Sequence, residues 1–163
     1  MMNPRANQLS QRLRQFSDEL ASLTRKVSDE DWTKMLPAEQ WPVGVTLRHL
    51  ASGHLGITSL ARMMVNGEKL PEITMEGLKE MANQHAREHA DCQKNEVLEI
   101  LDKNSAEIVS FTAGLADEQL DRTGHLAATG DVSVQQIIEY VVFMSAGEHV
   151  ANIQKALGGA ESG

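Results

Sequence analysis

The sequence predicts an all-α protein, an antiparallel four-helix bundle with one long crossover connection. Apolar residues recur at spacings of three and four over four long stretches, the pattern of helices that bury one face. Only four prolines interrupt 163 residues, and proline is the strongest helix breaker. Aromatic residues are 4% of the chain against 41% hydrophobic, so the core must be Leu, Ile, Val, Ala and Met.

The first helix is expected over 4–27, with Asn3 as its cap and Pro4 at the first helical position, where a missing N–H costs nothing. Leu9, Leu13, Phe16, Leu20, Leu23 and Val27 make its inner stripe. The stretch "SDEDWTKMLPAEQW" follows as a short helical turn and a bend at Pro37. A second helix is expected over 42–66, ending at Asn66-Gly67 with Gly67 at positive φ. Its seam is Val43, Leu47, Leu50, His54, Ile57, Ala61 and Met64; His54 falls mid-stripe and His49 just outside one edge.

Residues 68–90 form a less apolar connection with a short helix of their own near 76–90. The third helix, over 92–115, turns Val97, Leu98, Leu101, Ile108, Phe111 and Leu115 inward. The fourth, over 133–157, opens with Ser133 and Gln136 as a capping box. Val134, Ile138, Val141, Ser145, His149 and Ala156 share one face of it, with the polar Asn152 among them, so Ser145 and His149 are expected to point into the bundle. An acidic turn precedes the second member of each helix pair, "VSDEDW" and "LADEQL", a weak echo that divides the chain into two helical hairpins. Residues 1–157 read as one domain and 158–163 as a disordered tail.

A formal net charge of −8 argues against a nucleic-acid partner, which needs a basic face. No apolar run reaches bilayer length, and "MMNPRANQLSQRLRQ" lacks a signal-peptide core, so no membrane partner is expected. The single cysteine, Cys92, cannot form an internal disulfide, which fits a reducing cytoplasm. It reads as a helix-start residue rather than a nucleophile, because no base stands at a recognisable spacing from it.

The histidines carry the functional question. His49, His54 and His149 lie on or beside inner seams of a core otherwise poor in polar groups. Neutral imidazole is a ligand for zinc, nickel or iron, and bundle interiors assemble such sites from facing helices. The bland alternative is that each ring bonds a backbone carbonyl or a buried water. His85 and His89 are spaced i, i+4 in the polar run "NQHAREHAD", which places them in solvent or at a pocket mouth; His125 sits in the loop "RTGHLAATGD" and is expected to be exposed. No glycine-rich phosphate loop, paired CxxC or Ser-His-Asp arrangement is present.

Three short motifs, "WPVGVTLRHLASGH", "ADEQL" and "EHVANI", together resemble the DinB-like superfamily, which includes the YfiT-type bacillithiol transferases. The resemblance spans about residues 5–157. It implies a four-helix bundle, usually a homodimer, with a divalent metal held by three histidines, one from the second helix and two from the fourth. By position these are His49, His149 and a residue four before His149, where this sequence has Ser145. A serine hydroxyl replaces imidazole poorly at zinc or nickel. His54, about one and a half turns beyond His49, is the substitute on the inner stripe. The expected metal residues are therefore His49, His149 and His54, with zinc or nickel as the ion and a low-molecular-weight thiol as co-substrate. The implied activity is a metal-dependent thiol S-transferase or a related small-molecule enzyme. The rival reading is a metal-free dimeric bundle that binds a small ligand or a protein partner.

Overall fold

A computed structural model describes residues 3–158. The expected tail therefore lies outside the described residues, apart from Gly158. Helix α1 (Pro4–Lys26) begins where the Asn3 side chain accepts the Arg5 N–H at 3.0 Å, a cap that contributes about 1 kcal/mol. Leu9, Leu13, Leu20 and Val27 are buried along its inner stripe. After the single turn α2 (Asp29–Trp32), capped by Ser28, the chain enters α3 (Val43–Val65). Every seam residue expected in α3 is buried, His54 included. As expected, Gly67 follows the helix end with φ of 69°.

The crossover contains α4 (Met75–Glu88), and α5 (Lys94–Ala113) then buries Val97, Leu101 and Ile108. Asn104 is buried with them, donating to the Ala51 carbonyl at 3.0 Å. One turn, α6 (Asp117–Leu120), leads to the last long helix.

Side-chain pairings give the helix directions. Arg5 pairs with Asp121 at one end of α1 while Lys94 reaches the Val27 carbonyl at the other, so α5 runs antiparallel to α1. Arg48 with Glu96 and Arg62 with Glu107 align α3 and α5 in one direction. Arg5 with Gln135 and Arg12 with Glu139 set the last helix parallel to α1. The order is up, down, down, up. Each sequential hairpin is antiparallel, and the crossover carries the chain back along the bundle between them, as a single long connection requires.

Two features depart from the expected pattern. The loop "RTGHLAATGD" contains a two-stranded antiparallel hairpin, β1 (Thr123–Leu126) with β2 (Gly130–Ser133), turned at Gly130 with φ of 81°. Four residues per strand are too few to show a period of two, so the sequence pattern does not predict this small hairpin. The fold is the expected four-helix bundle with the hairpin added in one connection. The capping box of Ser133 and Gln136 forms as expected and starts α7 (Val134–Ile138).

The second departure lies in the same helix. It continues through a π-helical segment (Glu139–Ser145), in which Ala146 N–H bonds back to the Val141 carbonyl, and ends as α8 (Ala146–Ala156). Wider turns lengthen the repeat, and the buried positions are Val134, Ile137, Ile138, Val142, Ala146 and Ile153. Val141, Ser145 and His149, expected on the inner face, lie at its half-buried edge. Segments of this kind are frequent at functional sites.

Candidate functional site

The site is built where the first turns of α3 meet the end of the π-helical segment and the first turns of α8. A short loop before α3 is closed by Leu36 N–H to the Trp41 carbonyl at 2.8 Å and Val43 N–H to the Lys34 carbonyl at 2.9 Å. Leu36 is fully buried and anchors it. Lys34 Nζ donates to the Ala156 carbonyl at 2.7 Å, a cation on the last turn of α8 that ties the loop to that helix. Gln40 takes φ of 60°, a left-handed conformation that costs a residue with a Cβ about 1–2 kcal/mol. This loop carries Glu39 into the protein, its side chain only 3% exposed.

One oxygen of Glu39 accepts from His149 Nδ1 at 2.7 Å and from Asn152 Nδ2 at 2.8 Å. The other oxygen, Oε1, is buried with no partner. Burial, the largest influence, pushes the Glu39 pKa up, but the hydrogen bonds from Asn152 and His149 outweigh it and hold the carboxyl below its ordinary value. An ionised carboxylate can only accept, so Nδ1 of His149 carries the proton of that bond, and in the neutral ring Nε2 is the nitrogen that presents a lone pair.

His49 stands opposite, its ring centroid 5.7 Å from that of His149 and nearly perpendicular to it. Trp41 packs against both rings, at 5.2 and 6.2 Å. Burial, then the neighbouring His149 and His85, lowers the His49 pKa to about 4. The ring is therefore neutral at pH 7, with a lone pair to offer. His49, His54, Ser145 and His149 line a common cavity of about 50 Å³, room for an ion or a water or two.

His54 forms its back wall and is committed to the core, with Nε2 at 3.2 Å from Ser17 Oγ and a residue exposure of 2%. A much larger depression of about 680 Å³ lies among residues 64–74 and the β-hairpin. From His49 to Met64 at its edge is about 22 Å of helix, and the orphaned carboxylate oxygen of Glu39 and ring nitrogen of His85 are not there. The chemistry belongs to the small cavity.

The crossover closes over the mouth of this site. Trp41 Nε1 donates to Asn83 Oδ1 at 3.1 Å, and the His85 ring lies 5.9 Å from that of His49. His85 is thus at a pocket mouth, half-buried, with His89 beside it at 4.8 Å. Its Nε2 meets Arg48 Nη1 at 2.7 Å, and its Nδ1 is buried without a partner. Burial, then Arg48 and His89, lowers the His85 pKa. His125 is exposed on β1 and paired with Asp131 at 2.7 Å, away from the site. Cys92 is buried, and burial with Glu96 pushes its thiol pKa up, which suits a packing residue and not a nucleophile.

The family described as the mycothiol maleylpyruvate isomerase N-terminal domain matches residues 13–150, most of the chain. This chain belongs to that family. It is accordingly a member of the DinB-like superfamily that its motifs resemble. Among solved structures it is similar to YfiT from Bacillus subtilis, described as a probable metal-dependent hydrolase with an unusual four-helix bundle topology. The TM-score is 0.76 at 14% identity, over 96% of this chain and 88% of that one. At that identity the likeness establishes the fold. No curated protein sequence matches.

Whether these residues suit a divalent ion can be tested on the site itself. The donor chemistry fits: His49 is held neutral, His149 has Nδ1 occupied and Nε2 free, and Glu39 Oε1 is an orphaned buried acceptor. The arrangement is incomplete, because among the described residues no three His, Cys, Asp or Glu side chains stand close enough together to hold a metal. Glu39 and Arg48 are the functional groups that sequence reasoning did not assemble, whereas His85 reaches the site because the crossover folds over it. The only local signal for Glu39 was the Pro37-containing bend; nothing in it gave the partner 110 residues away.

Proposed function

We propose that this protein is a metal-dependent enzyme acting on a small molecule, with His49 and His149 as the protein ligands and a low-molecular-weight thiol as co-substrate. One observation carries the reading: the buried Glu39 carboxylate on His149 Nδ1. A carboxylate behind a histidine fixes its tautomer and raises its basicity, an arrangement typical of metal-bound imidazole. Family membership and the cavity between the two rings support it. A divalent ion bound there would act as a Lewis acid and lower the pKa of a thiol.

The protein's own groups have separate tasks in this scheme. Glu39 and Asn152 aim His149, burial keeps His49 unprotonated, Trp41 excludes water from both rings, and His54 holds the cavity wall against Ser17. Ser145 leaves the site one ligand short of three, open for substrate and weaker for metal.

Zinc or nickel is expected to raise the Tm of protein purified without a tag, because a ligand that binds only the folded state stabilises it. At 100 times its Kd the gain is about 3 kcal/mol. His49→Ala or His149→Ala should abolish the shift, and Ser145→His should enlarge it. No shift in wild type alongside a shift in Ser145→His would instead favour the metal-free bundle that binds a small ligand.

The homodimer remains part of the proposal. Leu55, Tyr140 and Met144 are 44–63% exposed on α3 and the π-helical segment, and Met75, Leu78 and Met81 are exposed at spacings of three on α4. Apolar surface of this kind suits a self-complementary partner. Light scattering at micromolar concentration should return twice the 17.9 kDa chain mass, and a monomer would refute it.

A further inference from the structure

The geometry points to His85 as a hydrogen-bond donor to the bound small molecule, locked in the Nδ1–H form by Arg48 and so kept out of any metal's coordination shell. The inference rests on the reading that the His49–His149 cavity binds a small molecule, but its chemistry is independent of the metal. Arginine has five N–H donors, no acceptor, and does not lose its proton in a protein. With Arg48 Nη1 at 2.7 Å from His85 Nε2, that nitrogen must present its lone pair. The ring is then neutral and its one proton sits on Nδ1.

Arg48 is held in place to impose this. Its Nε donates to Glu96 at 2.6 Å, and its side chain is 14% exposed. Neither His85 nitrogen is consequently available to a metal, although the ring lies 5.9 Å from His49. What remains is a buried N–H with no partner in the protein. Buried donors are satisfied in nearly all folded proteins, and a lone one on a ring packed against His49, which lines the cavity, marks a place where another molecule completes the bond. The acceptor that fits is the anionic end of a small substrate, a thiolate sulfur or a carboxylate oxygen. His89, Arg48, Glu88 and Glu96 are the other charged or titratable groups around the ring.

Long-range proton–nitrogen NMR of the wild-type protein at pH 7 is expected to show His85 protonated at Nδ1 alone; an Nε2–H or doubly protonated ring overturns the assignment. Mercaptoacetate is expected to shift the Nδ1 signal, and acetate and 2-mercaptoethanol, each carrying one of its two ends, identify which end binds. His85→Asn keeps an N–H near the Nδ1 position and should bind mercaptoacetate almost as wild type does. His85→Gln, whose amide lies nearer Nε2, should bind about tenfold more weakly. Equal affinity of wild type and His85→Gln overturns the ligand role. Zinc calorimetry on wild type and His149→Ala separates this from the metal reading: failure to bind zinc refutes the metal site without moving the His85 tautomer. Loss of the Nδ1 proton on zinc addition would make His85 a ligand and overturn the present assignment.

Discussion

Gly44→Ala is expected to destabilise the protein by about 3 kcal/mol and to disorganise the site as it does so. A Cβ at this position would enter the Trp32 indole, with Cδ2 at 2.7 Å and other ring atoms nearer still. Gly44 is buried in the first turn of α3, so the backbone has no room to retreat. The indole must swing out instead, losing its Nε1 hydrogen bond to the Cys92 carbonyl at 2.9 Å and its packing on the core cluster that includes Leu20, Val27, Leu36 and Val43. The same contact couples stability to function. Trp32 ends the turn that leads into the loop carrying Glu39 and shares a core cluster with Leu36 and Trp41 of that loop. The variant should therefore also lose its zinc-induced Tm shift even at temperatures where it is folded. Urea denaturation checks the first effect; a midpoint within error of wild type would show that Trp32 moves aside freely.

The second large effect is acid sensitivity from His54. Burial lowers its pKa from 6.5 to about 4, so the folded protein strongly disfavours the protonated ring. Between those values the unfolded chain binds a proton that the folded one does not, and stability therefore rises with pH. The contribution is fully present above pH 6.5 and is lost as pH falls towards 4. A shift of this size corresponds to about 3 kcal/mol. His54→Gln leaves a polar atom near the Ser17 hydroxyl without a titrating ring. The difference in unfolding free energy between wild type and His54→Gln, measured at pH 7 and pH 4.5, should move by about 2 kcal/mol in favour of the variant at the lower pH. His49 and Glu39 titrate in both proteins and cancel in the comparison. Parallel pH profiles would mean that His54 is freely solvated, contrary to its place between α1 and α3.

The sequence by itself determined the four long helices, their caps and most of their inner faces. Those features depend on residues three or four apart, and the α3 seam from Val43 to Met64 is buried as its periodicity requires. It also placed His49 and His149 at one cavity, through short motifs shared with relatives. The tertiary structure decided what those histidines face. The π-helical segment moves Ser145 and His149 to the edge of the stripe, because a wider turn breaks the 3.6-residue count on which a helical wheel depends. It turns His54 from a candidate ligand into a core residue bonded to Ser17, a partner 37 positions earlier. It brings Glu39 to His149 across 110 residues and lays His85 on Arg48 across 37. Long-range polar contacts of this kind leave no periodic trace in a single sequence, since only the packed bundle sets which loop lies over which helix end.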